Sequence, residues 1–157
     1  VYYDHGVIHR IDGPAYIDHN NRQKINRWYK NGKLHREDGP AVELYYKTCS
    51  GFDGYEKIYY LNGVQTRTDG PSRILFDPQT EQSKRICYEW TQDNQLSRTP
   101  SEGPAQYIME GENILLRNYF YKGFELYDVY SKKASLKTQF LNMLILMKCS
   151  VYSYLKG

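Results

Sequence analysis

The sequence predicts a mainly β protein built from antiparallel hairpin repeats and closed by one amphipathic α-helix. Three observations predict it. A turn signal recurs behind an aromatic pair along most of the chain. Tyr accounts for 17 of 157 residues, and Tyr favours strands and amphipathic surfaces. After Lys132 the apolar residues change to a spacing near 3.6 residues.

The clearest copy of the repeat runs Trp28-Tyr29-Lys30-Asn31-Gly32-Lys33-Leu34-His35-Arg36-Glu37-Asp38-Gly39-Pro40-Ala41. Two marks recur. One is an acid before Gly-Pro: Asp12-Gly13-Pro14, Asp38-Gly39-Pro40, Asp69-Gly70-Pro71 and Glu102-Gly103-Pro104. The other is an aromatic pair ahead of a Gly: Tyr2-Tyr3, Trp28-Tyr29, Tyr59-Tyr60 and Tyr119-Phe120, with a degenerate copy at Trp90 that turns at Asp93-Asn94. From the first aromatic to the Gly of Gly-Pro is 11 residues in three copies and 13 in the fourth. From that Gly to the next aromatic is 15, 20, 20 and 16. One half of the unit is nearly fixed and the other varies. Successive Gly-Pro marks lie 26, 31 and 33 residues apart, a period typical of repeat proteins.

The fixed half reads as a hairpin. Asn31-Gly32 and Asn62-Gly63 are strong signals for a type I′ turn, which needs two residues at positive φ. Aromatic strands are expected before the turns, over Ile25–Lys30, Glu56–Leu61, Arg85–Gln92 and Leu116–Lys122, with short polar strands such as Lys33–Arg36 after them. Asp-Gly-Pro makes a second turn: Asp bonds forward, Gly supplies an unusual φ and Pro starts the next strand. Those strands run from Ala15, Ala41, Ser72 and Ala105. The variable half holds loops at Asp18–Gln23, Thr48–Gly54, Asp77–Ser83 and Glu110–Asn113, expected along one edge of the sheet.

The repeat region covers residues 1–130, about five units with the first and last incomplete. Residues 131–157 form the helix, with Phe140, Leu144, Met147, Val151 and Leu155 on one side and Leu141, Ile145 and Tyr152 beside them. Ser131 or Ser135 caps it and Gly157 follows it. The chain opens inside a repeat, so a residue ahead of Val1 is expected to have been removed.

The net charge of +3 is unevenly placed. Residues 131–157 hold five Lys (132, 133, 137, 148 and 156) and no acid, which leaves 16 basic and 18 acidic groups elsewhere, a net of −2. No basic stripe crosses the repeats, so nucleic acid is not an expected partner. Cys49, Cys87 and Cys149 are odd in number and widely spaced. They read as reduced thiols of an intracellular protein, not as a disulfide framework. No apolar run spans a bilayer and no signal peptide opens the chain, so neither a transmembrane segment nor secretion is expected.

These units resemble MORN-type repeats, in the variant Trp-Tyr-x-Asn-Gly-x-Leu-His-Arg-x-Asp-Gly-Pro-Ala common in large DNA viruses such as marseilleviruses and mimiviruses. Residues 28–41 match at every specified position. The unit from Tyr59 has Gln65-Thr66 for Leu-His, the Trp90 unit lacks the turn Gly, and the last lacks Gly-Pro. The resemblance covers about residues 1–126. It implies a row of hairpins forming an elongated, twisted sheet, used for scaffolding, protein contact or lipid contact. A viral source would place the protein in host cytoplasm or virion.

His35-Arg36 and His9-Arg10 invite a catalytic or metal-binding reading. Their recurrence, continued by Arg67 and Arg98, favours a structural one, with Arg36 holding the Asp38 turn. Two aligned His without a third ligand are too few for a closed zinc site. No phosphate loop, GxSxG elbow or HExxH occurs. No enzyme, cofactor or metal is therefore expected. The structural turn residues are Asn31, Gly32, Asp38, Gly39, Pro40, Asn62, Gly63, Asp69, Gly70 and Pro71. The candidate interaction surface is Trp28, Tyr29, Tyr59, Tyr60, Trp90, Tyr119 and Phe120. The candidate association helix carries Phe140, Leu141, Leu144, Ile145, Val151 and Tyr152. The expected function is a non-enzymatic scaffold or structural component that contacts a protein partner, with a homodimer through the helix as one form. The alternative is a peripheral membrane module that uses the basic helix on anionic lipid.

Overall fold

The computed structural model describes residues 1–47, 51, 53–78 and 84–126. They form an antiparallel β protein. Four short hairpins pair β1 (Tyr3–Asp4) with β2 (Val7–Ile8), β5 (Tyr29–Lys30) with β6 (Lys33–Leu34), β9 (Tyr60–Leu61) with β10 (Val64–Gln65), and β13 (Thr91–Gln92) with β14 (Gln95–Leu96). The longer strands are β3 (Tyr16–His19), β4 (Gln23–Arg27), β7 (Val42–Lys47), β8 (Asp53–Ile58), β11 (Arg73–Pro78), β12 (Lys84–Glu89), β15 (Gln106–Glu110), β16 (Asn113–Tyr121) and β17 (Phe124–Leu126). They make one nine-stranded sheet in the order β17-β16-β15-β12-β11-β8-β7-β4-β3, every neighbour antiparallel. The variable connections therefore all fall at one end of the sheet and the hairpins at the other.

Each hairpin turn has two residues at positive φ: His5 and Gly6 (47° and 79°), Asn31 and Gly32 (52° and 78°), Asn62 and Gly63 (53° and 84°), Asp93 and Asn94 (53° and 62°), Lys122 and Gly123 (50° and 78°). That is the type I′ requirement, and Asn and Gly meet it at the lowest steric cost.

Three of the aromatic strands expected as continuous are each two strands. The break falls at Trp28, Tyr59 and Trp90. There the chain passes from the large sheet into a hairpin, and one residue bonds to both. Trp28 N–H donates to Ala41 O (2.9 Å) while its carbonyl accepts from His35 N (3.1 Å). Tyr59 and Trp90 repeat this with Ser72 and Thr66, and with Ala105 and Ser97. Only at Tyr119 does the strand run through unbroken. The residue after each Gly-Pro sits under this junction and has no room for a large side chain: Ala15, Ala41 and Ala105 are fully buried and Ser72 is 1% exposed.

Asp-Gly-Pro corrects one expectation. Among these turn glycines only Gly103 has positive φ. Gly13, Gly39 and Gly70 lie against an arginine instead: a Cβ on Gly39 would lie 2.9 Å from the Arg36 guanidinium carbon, and those on Gly13 and Gly70 3.2 Å from the carbons of Arg10 and Arg67.

Register sorts the large sheet into two unlike faces, because side chains alternate and cross-strand partners share a face. One face is aliphatic, with the row Ile25–Leu44–Glu56–Leu75–Cys87–Ile108–Leu116. The other is aromatic, with the row Tyr45–Tyr55–Phe76–Ile86–Met109–Ile114. Over the eight strands from β3 to β16 the aliphatic face carries Asp18, Glu56, Asp77, Glu89 and Glu110 against Arg27, Arg73 and Arg85, a net of −2. The aromatic face carries Lys24, Lys47, Lys57, Lys84 and Arg117 against Glu43 and Asp53, a net of +3. Among the described residues the buried apolar side chains are few: Ala15, Ala41, Pro78, Ala105, Tyr119 and Leu126.

Among the described residues there is no helix, hence none long and apolar enough to cross a membrane. The helix expected over residues 131–157, with Phe140, Leu141, Leu144, Ile145, Val151 and Tyr152, lies outside the described residues, as do Cys49 and Cys149.

Candidate functional site

The motif residues meet where successive hairpins stack. Arg36 follows the hairpin turn by four residues, and its side chain lies back over the Trp28 ring, 4.1 Å from the centroid. Its Nε donates to Asp38 Oδ1 (2.9 Å) and its Nη1 to Pro40 O (3.3 Å) and Glu43 Oε1 (3.4 Å). A planar guanidinium can stack and donate sideways at once. Arg10 does the same with Tyr2 (4.2 Å), Asp12 (2.8 Å) and Pro14 O (3.5 Å). Arg67 covers Tyr59 (4.1 Å) and bonds both oxygens of Asp69 (2.7 and 3.3 Å). Arg98 covers Trp90 (4.0 Å) and bonds Pro104 O (3.3 Å). In that copy, lengthened by two residues, Thr99 bonds Glu102 in place of the Arg–Asp pair.

The imidazoles join one hairpin to the next. His9 Nδ1 accepts from Asn31 N–H (3.0 Å) and His35 Nδ1 from Asn62 N–H (3.1 Å). Ser97 Oγ accepts from Lys122 N–H (3.0 Å) at the matching place. Backbone bonds run alongside: Gly32 N to Ile8 O, Gly63 N to Leu34 O and Gly123 N to Leu96 O (3.0, 2.8 and 3.2 Å). His35 Nε2 also meets Glu37 Oε1 at 3.1 Å.

A cleft of about 790 Å³ between the first two hairpins is lined by both His and both Arg, with Trp28, Tyr29, Lys30, Asp12, Glu37 and Asp38. Its charges are matched one to one. Arg10, Arg36 and Arg67 hold Asp12, Asp38 and Asp69 below the ordinary carboxylate range, chiefly through the hydrogen bond to the guanidinium. Glu37 is lowered chiefly by its bond to His35. Among the described residues no three His, Cys, Asp or Glu side chains gather in a metal-holding group.

The sequence-proposed aromatics divide by position. Trp28, Tyr59 and Trp90 are half-buried beneath guanidinium groups. Tyr29, Tyr60 and Phe120 are half-buried, and burial pushes the Tyr60 phenol up. Tyr119 is buried, 6% exposed. Trp90 also stacks on Tyr107 (5.5 Å), itself 5.1 Å from Tyr88.

The aromatic face of the large sheet was not singled out from sequence. Tyr55 stacks on Phe76 (5.3 Å) and meets Tyr45 at a tilt (6.4 Å), and Lys57 lies 5.2 Å from the Tyr55 centroid. No residue of the row from Tyr45 to Ile114 is buried. The signal was available, because odd-numbered Tyr45 and Tyr55 alternate with Leu44 and Glu56, but it needed the register to become a row. On the opposite face Arg73 bridges Glu56 and Glu89 (Nη1 to Oε2 3.1 Å), Gln106 donates to Glu89 (2.7 Å) and Asn118 to Gln106 (2.8 Å). Cys87 lies against this network, and burial pushes its thiol up to about 11.

Compared with protein-family models, with curated proteins and with solved structures, the chain finds no match in any of the three.

Proposed function

We propose that this chain is a non-enzymatic repeat protein, similar to MORN-type repeats of large DNA viruses, that acts as a scaffold or structural component by offering a β surface to another protein. In this reading the hairpins are tandem repeats along an elongated, twisted sheet, and residues 131–157 are an amphipathic helix beside it. The observation that carries the proposal is the division of labour among side chains. The His, Arg and Asp of the motif are spent on stacking and turns, while the row from Tyr45 to Ile114 stays half-exposed among lysines. Aromatic rings with a charged rim suit protein contact.

A photo-cross-linking side chain at position 45 or 55, used in the cells that make the protein, tests this. One and the same protein is expected from both positions and not from position 20, in the loop after His19. Identical products from all three positions would overturn the proposal.

A further inference from the structure

We propose that residues 131–157 supply the layer missing from the aliphatic face, as an amphipathic helix lying over Leu75, Cys87, Ile108 and Leu116. This rests on the helical reading of that segment made above.

A sheet must bury at least one face against another element. Among apolar side chains the described residues bury three alanines, Pro78, Tyr119 and Leu126, and Leu116 is 41% exposed at the edge of the aliphatic row. The occupant is close in sequence and in reach. The chain leaves the sheet at Leu126, the end of the strand beside β16, and 31 residues follow. Four of them precede residue 131, where the helix begins, enough to span about 13 Å when extended. The stripe from Phe140 to Leu155 is about 22 Å long as a helix. The four strands that carry Leu75, Cys87, Ile108 and Leu116 are three spacings wide, about 14 Å.

Charge selects the face. The segment holds five Lys and no acid. The aromatic face, at +3, repels it; the aliphatic face, at −2, attracts it. Within the aliphatic face Arg73 is shared between two carboxylates, Glu56 and Glu89. That cluster holds one negative charge in excess, which a lysine at the helix flank neutralises.

NMR on the isotope-labelled full chain tests both steps separately. Cα shifts over residues 131–157 report the helix. Methyl contacts from Leu144, Met147 and Val151 report the face. Helical shifts with contacts to Leu75, Ile108 and Leu116 are the expected result. Helical shifts with contacts to Phe76 and Ile86, or with no contact to the sheet, overturn the docking and leave the helix standing. Coil shifts overturn the helical reading itself. Contacts seen only between differently labelled copies in a mixed sample overturn docking within one chain in favour of a second copy.

Discussion

His35 Nδ1 accepts the backbone N–H of Asn62 at 3.1 Å, across 27 residues of sequence. The bond ties the ring of one hairpin to the first turn residue of the next, and His9 does the same for Asn31. His35→Ala leaves that N–H without its protein acceptor, and we expect a loss of about 1 kcal/mol. His35→Gln, which restores a carbonyl acceptor, should recover part of it. Urea denaturation measures both; equal midpoints for His35→Ala and the parent protein would remove the joint role.

Arg36 combines ring stacking with fork-shaped donation, so its charge alone is not enough. Arg36→Lys keeps the charge and loses the plane. We expect it to cost nearly as much as Arg36→Ala, about 1 to 2 kcal/mol, from the lost contact with Trp28 and the bond to Pro40 O. Denaturation midpoints decide this. A Lys variant as stable as the parent protein would mean that charge, not geometry, holds the joint.

The glycine of Asp-Gly-Pro gives a sharper test through coupling. A Cβ at position 39 meets the Arg36 guanidinium carbon at 2.9 Å. Gly39→Ala should therefore destabilise by about 1 kcal/mol or more in the parent protein. In an Arg36→Ala background the obstacle is gone, and most of that cost should vanish. A double-mutant cycle reads the difference. Additive effects would show that the backbone, not the arginine, requires glycine there.

These positions show what sequence reasoning could reach. The hairpin turns were legible because Asn-Gly carries its own φ requirement, and the strand order followed from consecutive pairing. The arginine's hold on its turn was legible from the two-residue spacing of Arg36 and Asp38. The split at Trp28, Tyr59 and Trp90 was not, because a single residue there bonds to two sheets, which no local propensity encodes. The role of Gly39 was misread for a related reason: the arginine that crowds it comes from three residues back in the chain but arrives by folding over a ring. The two unlike faces depended on register between strands.

Ser72 stands where the other copies have Ala, and its surroundings change with it. Its hydroxyl lies 2.8 Å from Thr91 Oγ1 and 3.1 Å from Glu89 O, and Gln65 Nε2 reaches it at 3.3 Å. Leu34 and Tyr60 occupy the matching places around Ala41. Ser72→Ala fits the space yet removes this shared partner, so we expect a loss of about 1 kcal/mol. Ala41→Val keeps the polarity and overfills a fully buried site, at about 1 to 3 kcal/mol. Thermal denaturation of the two variants compares them; a more stable Ser72→Ala would mean that the polar cluster is dispensable.

Acid should loosen the joints in a defined direction. Asp12, Asp38 and Asp69 have folded pKa values lowered chiefly by their guanidinium bonds. A lowered folded value means that the unfolded chain binds protons first as pH falls. The stabilising contribution is therefore complete above the unfolded aspartate value, about 3.9, and is lost as pH drops through the folded values. All three carboxylates are exposed, so each contribution is small and screened by salt, and the effect should show as their sum. Stability should be flat in this respect from neutral pH to about pH 5 and should fall below about pH 4. Arg36→Ala removes one pair and should make that fall shallower. Urea midpoints at several pH values, in low and high salt, measure it. A fall of equal steepness in the variant would show that Arg36–Asp38 contributes nothing to acid sensitivity.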